Sequence, residues 1–369
     1  MKVAVVGAGA VGATAAMTLA NAGHEVTVYE AATVGSGATG RAAGLAYAAY
    51  VDPLDARIGE RSLAEFRTAG TRGTGFNFTP RPYLWFATDR GETADAIRRQ
   101  VDRMQRYGVD VELLDSAAVA ARYPGLRTED ITVAALARNA GFGSPAAYAA
   151  DMAATAEASG ATIHERTPVS LHARNGAIGI DGSGATYDRV AVAAGAHTGR
   201  LVANVTEALP MAPYRVQALV GEYPTADLPM LFDATAGVYA RPHPDGLLIG
   251  DGTEERPVDP SNWKETADAG FVETAREFAR QRLAETLSVA RSWAGLCTAT
   301  PDGEPLLGRA ASGLTVATGW QGHGFMRAPE TGRLLATATI EDRSPIGRFD
   351  PRRVPGDTEF DVVEGMIVD

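Results

Sequence analysis

The chain opens on an alternation of apolar runs and turn residues that reads as strand, tight turn, helix, strand. KVAVVGAG is a β-branched run ending in glycines, AVGATAAMTLANAG has the composition of a helix closing on Gly23, and EVTVYE is a second strand. After Glu30 the pattern breaks: AATVGSGATGRAAGLAYAAY carries Gly35, Gly37, Gly40 and Gly44 with no clear period. A loop of that length inside a compact domain is usually functional. PRPYLWFAT predicts a strand, and GETADAIRRQVDRMQRYG a helix with Ala94, Ile97, Val101 and Met104 on one face. SPAAYAADMAATAEASGATIHERTPV predicts a helix and then a strand, and YDRVAVAAGAHTGRL a buried strand ending in a turn of small residues. Between 214 and 253 short apolar stretches alternate with turn residues, as in GVYARPHPDGLLIGDGT, the pattern of an antiparallel sheet. A helix is expected near 265–288, and Pro329, suited to the first turn of a helix, is expected to start PETGRLLATATI.

Pieces of βαβ pattern at the start, middle and end, with strand-rich material between them, predict an α/β fold of two domains. The expected division is a discontinuous Rossmann-like nucleotide domain from 1–50, 140–213 and 298–369 and a substrate domain from 51–139 and 214–297. The second is expected to rest on a mainly antiparallel β-sheet with helices.

Composition narrows the partners. Net charge is −11 and no basic cluster occurs, which disfavours nucleic acid and anionic membranes. No apolar run reaches the roughly 18 residues needed to span a bilayer. The first strand begins so early that no room is left for a cleaved leader, and a soluble cytoplasmic protein is expected. A single cysteine, Cys297, excludes an intrachain disulfide, and the six scattered histidines suggest no metal site.

The glycines carry the first chemistry. In Gly7-Ala8-Gly9-Ala10-Val11-Gly12 the first glycine permits a tight turn, the second lets the backbone approach a pyrophosphate, and the third lets helix and strand pack closely. The helix N-terminus, beginning at Ala10 and Val11, offers N–H groups and partial positive charge to phosphates. Glu30, at the end of the second strand, is placed to accept ribose hydroxyls. An acid there disfavours a 2′-phosphate and hence NADP; NAD and FAD both stay open.

Four further motifs separate them. SGATGRAAG at 36–44, VAVAAGA at 190–196, WAGLCTATPDGEPLLG at 293–308 and TGWQGHGFMRAPETGRLLA at 318–336 together resemble the D-amino acid oxidase family of FAD-dependent oxidoreductases. That family includes glycine, sarcosine and dimethylglycine oxidases and dehydrogenases, and the resemblance runs from residue 1 to 340. It implies FAD in the discontinuous domain, with Glu30 and Ala31 at the adenosine ribose and Thr39, Gly40, Arg41, Ala42, Ala43 and Gly44 around the pyrophosphate and flavin. It further implies Val169 at the adenine, Ala194 and Gly195 along the nucleotide, and Gly322, His323, Gly324, Phe325 and Met326 at the pyrimidine side of the isoalloxazine. A helix starting at Pro329 would point its positive end back at these residues. The cysteine that carries flavin in sarcosine oxidases corresponds to Gly295, so noncovalent FAD is implied.

The implied reaction is oxidation of the C–N bond of a small amino acid or N-alkyl amino acid, of the D-amino acid, glycine, sarcosine or proline type. Hydride would pass to flavin N5 and leave an imine that hydrolyses; O2 or another electron acceptor would reoxidise the flavin. No obligatory acid or base is visible, and no catalytic residue is assigned. Family members hold the substrate carboxylate with a cation, and here the chain departs from them. It has Cys297 where glycine-oxidase-like members place arginine, and Met326, Ala43 and Ala46 where sarcosine oxidases place lysine and arginines. Leu248 stands where sarcosine oxidases have an oxygen-activating lysine, which favours a dehydrogenase. The remaining candidate anchors are Arg327 and Arg241, with Arg41 as a possible phosphate contact instead. Tyr239 and Arg241 share a strand face that reads as pocket wall. Tyr47 and Tyr50, three apart, suit one helical face that roofs the site, and His323 offers either its side chain or only its backbone. Two other readings remain: a flavin-binding subunit without activity, and an NAD-dependent dehydrogenase.

Overall fold

The computed structural model describes residues 1–174, 177–181, 185–223, 227–283 and 287–363. Its first strand, Lys2–Val6, pairs in parallel with Glu25–Tyr29 on one side and Arg189–Val192 on the other. Thr162–His164 and Leu314–Thr318 extend this sheet in parallel, and Leu306–Ala311 closes one edge antiparallel. The six strands thus come from widely separated parts of the chain. The sheet is buried on both faces, which explains the near-continuous Val and Ala content of its central strands. Helix Ala10–Asn21 packs against both Pro145–Ala158 and Gly324–Glu341 over one face. Small side chains let them approach: a Cβ added at Gly332 would lie 2.5 Å from Cβ of Thr14.

A second sheet has eight strands, in the order Ser288–Ala299, Ala212–Glu222, Gly246–Pro257, Val238–His243, Met230–Asp233, Tyr83–Ala87, Val133–Ala137, Val111–Leu114. Every pairing is antiparallel except that of Met230–Asp233 with Tyr83–Ala87. Alternation sorts its side chains. Leu84 and Phe86 join Leu219, Ile249, Phe271 and Phe278 under helix Ala269–Leu283, whereas Tyr83 and Trp85 point to the core shared with the first sheet. The expected cuts at 213/214 and 297/298 fall inside two of these strands. Helix Pro53–Gly70 packs on helix Gly324–Glu341 of the other sheet's layer.

Several local expectations are corrected. The helix near 265–288 runs only Ala269–Leu283. The residues before it are held as a loop by the buried guanidinium of Arg215, which donates to the carbonyls of Lys264 (2.8 Å) and Thr266. The last long helix starts at Gly324, and Pro329 lies inside it. A proline there costs about 3 kcal/mol; burial of Phe325, Met326 and Ala328 around it offsets the loss. Tyr47 and Tyr50 share no helix: Tyr47 ends strand Leu45–Tyr47 and Tyr50 lies in the turn before helix Pro53–Gly70. The loop after Glu30 contains the short helix Ala38–Arg41.

Candidate active site

A cavity of about 920 Å³ lies between the carboxyl ends of the parallel strands and the face of the eight-stranded sheet. That is where open α/β sheets bind ligands, and the volume is at the upper end of the usual range for such sites. The first strand ends in Gly7, whose φ of +99° suits glycine. Its N–H donates to Tyr29 O at 2.8 Å, and a Cβ there would lie 2.5 Å from Ala193 O. Gly12 sits directly behind, where a Cβ would collide with Gly7 O; it shapes the turn from outside the cavity wall. Gly9, Ala10 and Val11 are in the wall. The Ala10 N–H donates to Thr39 Oγ1 at 3.0 Å, which ties the loop after Glu30 to the helix N-terminus.

Glu30 is held by two backbone donors, Ala8 N–H to Oε2 at 2.8 Å and Ala32 N–H to Oε1 at 2.9 Å. Each oxygen keeps a lone pair for a ligand hydroxyl. Ala31, Val169, Ala194 and Gly195 line the same end of the cavity. Ala42, Ala43 and Gly44 line its middle together with Arg41, while Gly40 packs behind against Gly35 O. The Arg41 guanidinium pairs with Glu265, donates to Ala294 O at 2.9 Å and lies 5.3 Å over the Trp263 ring. Gly295 leaves room for it, since a Cβ there would be 3.3 Å from Cβ of Arg41.

At the far end Gly322, His323, Gly324, Phe325 and Met326 form the turn and first residues of helix Gly324–Glu341, so this motif is itself the positive helix end. The His323 ring is in the wall, with Nε2 3.3 Å from the Tyr47 hydroxyl. Burial, reinforced by the nearby Arg327 guanidinium, pushes its pKa down to about 3, so the ring is neutral. Tyr47 is also in the wall, stacked parallel on Tyr83 at 4.6 Å. Tyr50 lies outside the described lining and donates its hydroxyl to Met326 Sδ at 2.8 Å.

The two candidate anchors sit differently. Arg327 is turned away from the wall and pairs with Asp55 at 3.1 Å, its guanidinium 4.7 Å over the Tyr50 ring. Arg241 is likewise outside the lining, whereas Tyr239 is in the wall with its ring over Gly250. The Arg241 Nε donates to Ala43 O, Nη1 donates to Pro242 O at 2.6 Å, and the guanidinium lies 4.8 Å over the Phe142 ring. Among the described residues it makes no ion pair, and burial lowers its pKa to about 10. Phe232, Trp263, Trp293 and Gln217 also line the cavity, and sequence reading missed them. Trp293 opens the 293–308 motif, but Phe232, Trp263 and Gln217 come from strands and a loop with no motif of their own, and the fold brings them to the wall.

A family model described as FAD dependent oxidoreductase matches residues 2–338. The chain belongs to this family. Its relatives include a glycine oxidase from Geobacillus kaustophilus, 29% identical over 90% of this chain and 91% of that protein. A D-amino acid dehydrogenase from Cereibacter sphaeroides is 27% identical over 94% of this chain and 93% of its own length. Among solved structures, an L-proline dehydrogenase from P. horikoshii matches with a TM-score of 0.85 and 26% identity, covering 95% of this chain and 97% of that one. The G. kaustophilus glycine oxidase matches with a TM-score of 0.85 and 26% identity, covering 96% and 99%.

The FAD of this family fits the residues present. The crowded glycine turn, the Glu30 carboxylate held open by two amides, and a second helix N-terminus at the far end make one continuous cradle. No helix among the described residues is long and apolar enough to cross a membrane.

Proposed function

We propose that this chain oxidises the C–N bond of a small amino acid or N-alkyl amino acid, using FAD held noncovalently. The observation that carries this reading is a single cavity whose wall includes both the glycine turn with Glu30 and the His323–Tyr47–Tyr239 surface. Bound flavin would supply the two-electron oxidation, taking hydride from the carbon beside the nitrogen and leaving an imine that hydrolyses. The protein's contribution is placement and electrostatics. Glu30 holds the ribose, and the N–H groups at Gly324 and Phe325 offer positive potential to the ring system. Tyr47, Phe232 and Tyr239 shape a small water-poor pocket beside it. Arg241 is the cation for a substrate carboxylate, because it is buried with no ion-pair partner among the described residues and an anion in the cavity would relieve that. Arg327 already has Asp55. Segments 1–50, 140–213 and 298–369 carry the FAD side of this division, and 51–139 with 214–297 carry the substrate side.

The test is anaerobic bleaching of the purified yellow protein across D-amino acids, glycine, sarcosine, dimethylglycine and proline. At least one should reduce the flavin completely. A colourless protein that takes up no added FAD, or a flavin that none of these substrates reduces, would overturn the proposal. Peroxide formation against dye reduction then tells O2 from another acceptor.

A further inference from the structure

The first turn of helix Gly324–Glu341 sends side chains in two directions. His323 and Met326 face the cavity, while the buried Arg327 enters a charge cluster that runs outward to half-exposed Arg348 and Asp52. Asp55 Oδ1 accepts from Arg327 at 3.1 Å, and Asp55 Oδ2 accepts from Arg348 at 2.9 Å. Arg348 also reaches Asp52 at 2.9 Å and Glu304 at 3.2 Å. Tyr50 joins this cluster to the wall. Its ring lies against the Arg327 guanidinium at 4.7 Å and meets the His323 ring at 6.0 Å, nearly perpendicular. Its hydroxyl binds Met326 Sδ, and His323 Nε2 lies 3.3 Å from the Tyr47 hydroxyl.

We propose that Arg327 is a positioning residue: through Tyr50 it holds His323 against Tyr47 as a neutral ring, and this His323–Tyr47 pair receives the reacting nitrogen of the substrate as a neutral amine. The inference rests on the amine-oxidising reading above. The ionisable groups against His323 are Arg327 on its own helix and Tyr47 and Tyr50 from the strand end and the following turn. Behind them stand Tyr83, stacked on Tyr47, and Asp55, bound to Arg327. A guanidinium keeps its charge at every working pH. With the helix N-terminus, it sets a positive potential at the wall that opposes a second cation there, whether imidazolium or substrate ammonium. The neutral amine, having released its proton to solvent before binding, keeps the lone pair that the adjacent C–H cleavage needs.

The test follows His323 directly and through turnover in the FAD-loaded enzyme. With six histidines in the chain, imidazole NMR signals can be assigned by single substitution. In the wild type the His323 signal should not titrate down to about pH 5. In Arg327→Met it should titrate at a clearly higher pH than in the wild type, while burial still holds it below the ordinary histidine range. The kcat/KM profile of Arg327→Met should gain an acid inflection at the pH where the His323 signal now titrates, with a larger loss on the acid side of it than at pH 9. Arg327→Lys should restore the wild-type profile, and His323→Gln in the Arg327→Met background should remove the inflection. If Asp55, left with Arg348 alone, prevents folding, Arg327→Met with Asp55→Asn removes the pair together and is read the same way. A His323 signal that titrates normally in the wild type, or an Arg327→Met profile of wild-type shape, would overturn the inference. Failure of every substrate to bleach the flavin would overturn the amine reading and this one, whereas an unshifted profile with normal bleaching overturns this one alone.

Discussion

Arg241 and Arg327 show how much a charge depends on its neighbours. Both are buried arginines near the cavity, and nothing in their local sequence separates their tasks. Asp55 meets the charge of Arg327, whereas Arg241 meets the carbonyl oxygens of Ala43 and Pro242 and the ring face of Phe142. Substitution of Arg241 by Met should therefore raise KM for carboxylated substrates by about tenfold or more, the loss expected of one charge-assisted contact. Flavin content should change little. Steady-state kinetics on glycine and on its amide, with flavin absorbance measured alongside, check this; an equal loss for both substrates would remove Arg241 from carboxylate recognition. His323 was visible in the sequence between its glycines, but the burial and the nearby Arg327 guanidinium that keep its ring neutral become apparent only in the folded chain.

The loop before helix Ala269–Leu283 is the element that sequence periodicity read least well. The expected helix yields to backbone capture by Arg215, which binds the carbonyls of Lys264 and Thr266 and the carboxylates of Asp268 (2.6 Å) and Glu254. The captured loop lays Pro260, Ser261, Asn262, Trp263 and Glu265 into the cavity wall, where Glu265 and Trp263 meet Arg41. Arg215→Ala should cost about 2–3 kcal/mol, the loss of its charge-assisted hydrogen bonds to the loop carbonyls. It should also weaken FAD retention by loosening that wall. Thermal unfolding and a flavin-fluorescence titration measure the two effects, and a destabilised protein that binds FAD with unchanged affinity would show the loop to be dispensable for the cofactor. Elements set by local pattern fared better. Glu92–Arg106 is a helix with Ala94, Ile97, Val101 and Met104 buried, as its spacing predicts. The start at Gly324 could not be read that way, because burial of the turn before Pro329 is a tertiary effect.

Across the whole molecule the buried groups of the site set a pH dependence of stability. His323 has a folded pKa of about 3 against an ordinary value of 6.5. Between those values the unfolded chain binds a proton that the folded chain refuses, so stability is lost as pH falls through this window, by about 2 kcal/mol between pH 6.5 and 5. His243, also lowered chiefly by burial, acts in the same direction. Asp130, held down by its hydrogen bond from Arg282, adds to the loss at still lower pH. Urea midpoints at pH 7.5 and 5 should show this drop, and His323→Gln should flatten it; an unchanged slope would mean that other groups carry the acid sensitivity. The glycine-turn end of the cavity was legible from the amino-acid order, since Gly7, Gly9, Gly12 and Glu30 lie within one strand, turn, helix and strand whose contacts are nearly all local. The family motifs extended that reading to the flavin. Tyr47, Tyr239 and His323 could be named as candidates from the sequence, but not their meeting, because they lie on three distant segments and come together only when two sheets close on one cavity. Local order sets where a backbone turns; which way a side chain points, and which charge lies beside it, is settled by packing across the whole chain.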